Sequence, residues 1–163
     1  MSVRRLTLLA LLALCISLGV VGTAQAHQRQ VIEFGFTNFG FVEDDPACPG
    51  GKVTFDMVSL DGAALGNGIS CVLAIKGCSP FFVGCKQKVT AILTFSFAEG
   101  SVTVDGRLRE QFISDSSLRQ RAQGNVTGGT GAFAGARGTL RGHGTVDFLT
   151  GSSTLVYTLR LKV

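Results

Sequence analysis

The chain lacks tryptophan altogether, has two histidines and one tyrosine, and shows no helical periodicity of useful length. Without tryptophan, and with no cluster of Lys and Arg along the sequence, nothing points to a nucleic-acid partner. His143 is the only histidine beyond the N-terminal region, and the cysteines are not at short paired spacings, so no metal site is expected. No G-x-S-x-G elbow is present, which excludes the usual serine-hydrolase reading. Beyond the N-terminal leader no apolar run is long enough to span a membrane, so no membrane association is expected of the mature chain.

That leader is the first thing present. Arg4 and Arg5 precede an uncharged apolar stretch from Leu6 to about Val21, and Ala24-Gln25-Ala26 supplies a small-residue cleavage site. Residues 1–26 read as a secretory signal peptide cut at about Ala26-His27, leaving 27–163 as one domain of a secreted, extracellular protein. Its loss removes two arginines from a formal net charge of only +4. It also removes Cys15, leaving Cys48, Cys71, Cys78 and Cys85. An even count in an exported chain favours two disulfides, with three connectivities that the sequence does not separate.

The rest of the chain alternates with period two. Val89, Ala91, Leu93, Phe95 and Phe97 share one face of VTAILTFSF; after Ala98-Glu99-Gly100, Val102, Val104, Leu108 and Phe112 share one face of the next run. The pattern returns at Leu140, Gly142, Gly144, Val146 and Phe148, then, past Thr150-Gly151-Ser152, at Leu155, Tyr157, Leu159, Leu161 and Val163. VIEFGF, KVTFDMV and GISCVLAI are further strands. Many short strands joined by glycine turns predict a sandwich or a closed barrel. Gly106, Gly142 and Gly144 fall on apolar parity, where a missing side chain relieves crowding at a barrel bend or leaves room for a ligand, and this favours the barrel.

The stretch NVTGGTGAFAGARG, residues 125–138, superficially suggests a dinucleotide fingerprint. Gly131 and Gly135 are four apart rather than three, and strands follow instead of a helix whose N-terminus would receive a phosphate. No nucleotide or other cofactor is expected. Asn125-Val126-Thr127 is formally a glycosylation sequon.

The same residues resemble the barrel superfamily of plant allene oxide cyclases and dirigent proteins. Val126-Thr127-Gly128-Gly129-Thr130-Gly131-Ala132-Phe133 stands where those families carry V-[TV]-G-G-[TS]-G-x-F. Leu65-Gly66 through GISCVLAI, the hairpin AILTFSFAEGSVTVDG and the closing LVYTLRLKV are similar in order, so the resemblance covers roughly residues 50 to 163. It implies an all-β, eight-stranded antiparallel barrel of calycin type, stapled here by disulfides, often a homotrimer, with a hydrophobic small molecule in its interior and no cofactor. Cys71 falls at a pocket cysteine of the cyclases, where it competes with a disulfide role. Leu108 stands at about the place of their pocket tyrosine, and Asp56 or Met57 at that of their pocket asparagine, two departures that count against true cyclase activity. Ala136-Arg137-Gly138 resembles the dirigent A-R-G, whose arginine lies in the pocket, but Gln123 occupies about the place of its acidic helper.

A cofactor-free cyclase or coupling guide needs a carboxylate and a polarising donor. Three candidates for such catalytic roles are Arg137, Glu33 on the first strand, and Glu110, which shares parity with Leu108 and Phe112. Asp56, Phe95, Leu108 and Tyr157 are the candidate ligand contacts, and Gly128, Gly129, Gly131 and Phe133 form the motif. Parity alone turns Arg137 outward unless a bulge resets the register, and a solvated strand end is the alternative for Glu110. Two function classes remain: an exported barrel that binds an apolar molecule and steers its cyclisation or coupling, and a non-catalytic carrier or filled interaction barrel. The state of the interior separates them.

Overall fold

A computed structural model describes residues 29–43, 45–78 and 82–163, and the leader with its cleavage site lies outside them. The alternating runs become nine antiparallel strands: β1 (Arg29–Val42), β2 (Lys52–Val58), β3 (Ala64–Gly77), β4 (Lys86–Phe97), β5 (Gly100–Phe112), β6 (Ser117–Gly129), β7 (Arg137–Asp147), β8 (Ser152–Ser153) and β9 (Val156–Lys162). Neighbours pair in chain order from β1 to β7; β7 then pairs with β9 and β9 with β1, which closes an eight-stranded barrel. The two-residue β8 adds only a short flap on β7. Closure gives each of the eight staves backbone partners on both sides.

One face of each stave is buried. Phe34, Phe36, Phe55, Met57, Phe95, Val104, Leu140 and Leu159 point inward with at most 5% exposure. Rings fill the middle: Phe36 packs 4.2 Å from Phe55 and 4.6 Å from Tyr157 between centroids, and Phe34 lies 5.1 Å from Phe95. Each such burial contributes roughly 1.5 to 3 kcal/mol, and tilted ring pairs add about 0.5 to 1.5 kcal/mol. Rings this large fit because glycines sit beneath them. A Cβ on Gly68 would lie 2.0 Å from the Phe55 ring, and one on Gly142 2.0 Å from the Tyr157 ring. Gly142 therefore relieves crowding rather than leaving room for a ligand.

The inward sets agree with the period-two reading, with two departures. Phe148, expected inward, lies beyond the end of β7 and is exposed. The last strand begins only at Val156, because the chain first makes the β8 flap against Val146 and Asp147. Two disulfides join Cys48 to Cys71 and Cys78 to Cys85, with Cα atoms 5.0 and 5.7 Å apart. The first ties the β1–β2 connection to the outside of β3, and the second lies at the barrel end where β3 leads to β4.

Candidate functional site

The glycine motif forms one end of the barrel. Leaving β6, the chain makes a single 3-10 turn at Gly131–Phe133 and lays it across the β4–β5 hairpin. Thr130 N donates to Ser101 O at 2.9 Å, Ala132 N to Glu99 O at 2.9 Å and Phe133 N to Thr130 O at 3.0 Å. Gly131 has φ +58°, and a Cβ there would sit 2.2 Å from Glu99 O, so the close crossing requires glycine. The crossing delivers Phe133, 3% exposed, against Phe97 at 5.5 Å between centroids. Amides that a phosphate loop would hold free are engaged here in the turn itself.

At the opposite end a polar chain runs through the interior. β5 ends near Phe112, and two residues earlier Glu110 turns inward, paired with Gln87 on β4 and Gln120 on β6. Gln120 Nε2 donates to Glu110 Oε1 at 2.9 Å, and the Tyr157 hydroxyl donates to Gln120 Oε1 at 2.7 Å. The ring of Tyr157 reaches Gln120 because it crosses Gly142 on the intervening β7. Gln120 and Tyr157 are buried, whereas Glu110 is half-buried. Beside them Gln87, also buried, donates from Nε2 to Cys78 O at 2.9 Å.

Electrostatics follow from this placement. Burial raises the Glu110 carboxyl above its ordinary pKa, partly opposed by the Gln120 hydrogen bond, which favours the ionised form. Burial, with the nearby Glu110 charge as a second cause, pushes the Tyr157 phenol well above its usual value, so it remains a proton-bearing donor. The arrangement is one carboxyl group of adjustable protonation, oriented by an amide that a phenol in turn fixes. Such a group can give a proton to, or take one from, a molecule entering at this end.

The remaining sequence candidates scatter. Phe95 and Leu108 face the interior. Arg137 is exposed, its guanidinium donating from Nη1 to Thr127 O at 3.1 Å and Ala136 O at 3.0 Å. No bulge resets its register, and Gly138 pairs regularly with both Val126 and Leu161. Glu33 is exposed on β1 and accepts from Thr158 Oγ1 at 3.2 Å. Asp56 is exposed on β2 and accepts from Asn38 Nδ2 at 2.8 Å. Cys71 is on the outer face in its disulfide, not in a pocket. Gln120 was missed by sequence reasoning; its signal was the inward parity it shares with Leu118 and Ala122. Among the described residues no three His, Cys, Asp or Glu side chains converge as metal ligands.

Two concavities lie outside the interior. One of about 250 Å3 sits by the β8 flap between Ile113, Thr145 and Thr154, and one of about 270 Å3 lies across the outside of β5 to β7.

No family model matches the sequence, and no curated protein does either. Among solved structures, a pterocarpan synthase dirigent protein superposes with a TM-score of 0.55 at 18% identity, covering 83% of this chain and 96% of that one. The fold is the dirigent-type barrel. Closure by eight antiparallel staves and near-complete coverage of the solved chain carry that assignment. The two disulfides of this dirigent-type barrel are consistent with an extracellular protein.

Proposed function

We propose that this exported dirigent-type barrel receives a hydrophobic small molecule at the Glu110 end and steers its cyclisation or coupling without a cofactor. The observation that carries the reading is the Glu110–Gln120–Tyr157 chain, a carboxyl group held beside Gln87 and Gln120 at one end of a largely apolar interior. Protonated, Glu110 gives a proton to a ligand oxygen; ionised, it stabilises positive charge developing on the ligand. Phe95 and Leu108 supply the apolar walls, and the solved relative is by name a synthase. Entry of a ligand displaces interior rings, since the middle of the barrel is packed with them. Arg137, Glu33 and Asp56 take no part in this reading, because all three side chains are on the outside.

The packed interior favours a second reading, a non-catalytic barrel that acts through its surface. Ile69, Leu73 and Ile92 expose apolar surface on adjacent β3 and β4, which suits the self-association expected from the resemblance. Sedimentation of the mature protein distinguishes a trimer from a monomer. For the ligand, purified mature protein is incubated with a cellular lipid extract and retained molecules are identified by mass spectrometry. An apolar molecule held by the wild type and lost from Glu110→Gln supports the first reading; nothing retained by either leaves the second.

A further inference from the structure

The sequence shows no basic cluster, yet the barrel builds one. Lys76 pairs with Lys88, Lys88 with Arg109, Arg109 with Arg121 and Arg121 with His143, so five exposed side chains form a row across β3 to β7. At strand spacing the row is roughly 19 Å long. Arg107 and Arg141 flank Gln123 in the next row, and Lys86 and Arg119 lie in the row on the other side. None of these lysines and arginines forms an ion pair within the described residues, where the only salt bridge is Lys52 to Asp45. On this face Asp105 stands at the margin, and Asp147 at the strand end is engaged by the amides of Leu149 and Thr150. Glu99 on the β4–β5 hairpin and Asp115 in the β5–β6 turn stand at the two ends of the face, while Glu33, Glu43, Asp45, Asp56 and Asp61 lie on the far side of the barrel, on β1, β2 and their connections.

Like charges directly opposite in a sheet destabilise it, so this row detracts from stability and calls for a compensating role. Within the patch lies the groove of about 270 Å3, lined by Arg107, Arg141, Gln123, Asn125, Asp105 and Thr139. We infer that the outer face of β5 to β7, together with the Lys76 and Lys88 end of β3 and β4, is a docking surface for an acidic polysaccharide, with Arg107 and Arg141 holding carboxylates of the polymer. Guanidinium groups bind carboxylates in two-pronged fashion, and the amides and hydroxyls between them suit sugar hydroxyls. No aromatic side chain lies among these residues to stack on bases, and the one apolar side chain at the groove, Leu140, is buried and does not reach out to a lipid surface. Disulfides and the expected export place the face where such polymers occur. The site lies outside the barrel and does not depend on what occupies the interior.

Binding of a polygalacturonate oligomer to the mature protein by calorimetry at low salt tests the inference, with neutral dextran, duplex DNA and phosphatidylglycerol vesicles as comparison ligands. The expected result is saturable binding of polygalacturonate, none of dextran, and weaker binding of DNA and vesicles. Two double variants, Arg107→Gln with Arg141→Gln and Arg109→Gln with Arg121→Gln, are expected to lose tenfold or more in affinity while melting at or above the wild-type temperature. No binding by the wild type, equal binding by the variants, or tighter binding of DNA or vesicles overturns it. A variant that unfolds is replaced by the single Arg107→Gln or Arg109→Gln, for which unchanged affinity is likewise contrary.

Discussion

Glu110 is a half-buried acid whose contribution to stability depends on pH in consequence. Its folded-state pKa is raised, so between the ordinary carboxyl value and the raised one the folded chain binds more protons than the unfolded chain. Stability contributed by this group is therefore fully present below the unfolded value of roughly 4.3 and is lost as pH climbs through the folded one. Glu110→Gln keeps an acceptor for Gln120 without the charge, so its melting temperature is expected above wild type at pH 7 and close to it near pH 4, read by calorimetry. Tyr157→Phe leaves Gln120 Oε1 buried without its donor and is expected to lower stability by about 1 to 3 kcal/mol. Equal denaturation midpoints for Tyr157→Phe and wild type would contradict that hydrogen bond. At this scale the sequence was half legible: parity gave Glu110 its inward direction, but its partner Gln120 comes from β6 and the Tyr157 that holds Gln120 from β9, and no local pattern joins them. Arg137 was legible in the same way, since its odd parity turned it to solvent and the structure keeps that register.

Elements carry the next constraint. Period-two runs forecast the staves and most of their buried faces because each strand meets water on one side and the interior on the other. Where the chain left that regime, at Phe148 and the β8 flap, alternation lost its meaning and the forecast failed with it. The motif from Gly128 to Phe133 is legible in the sequence as a glycine pattern, but its crossing over the barrel end depends on the distant hairpin at Glu99. Phe133→Ala is expected to lower stability by about 3 to 5 kcal/mol by opening that end, measured as the urea midpoint. Gly142→Ala pushes a methyl into the Tyr157 ring and is expected to lower stability by about 1 to 3 kcal/mol. It should also break the hydrogen bond to Gln120, seen as a change in tyrosine absorbance.

Over the whole molecule, closure makes one interior with two different ends, a phenylalanine lid at one and a carboxyl group at the other. The basic outer face is likewise a property of the closed sheet: its residues are spread from Lys76 to His143 and meet only through pairing, which is why linear charge counting missed it. Replacing Cys48 and Cys71 together by serine is expected to lower stability by about 3 kcal/mol, since the bridge closes a separation of 23 residues in the unfolded chain. The central claim, that the barrel holds an apolar molecule against Glu110, is tested most directly by native mass spectrometry of the mature protein after exposure to an apolar extract. The account predicts a discrete added mass on the wild type that is absent from Glu110→Gln at matched folding; a wild-type mass identical to the bare chain, or an adduct retained equally by the variant, would contradict it.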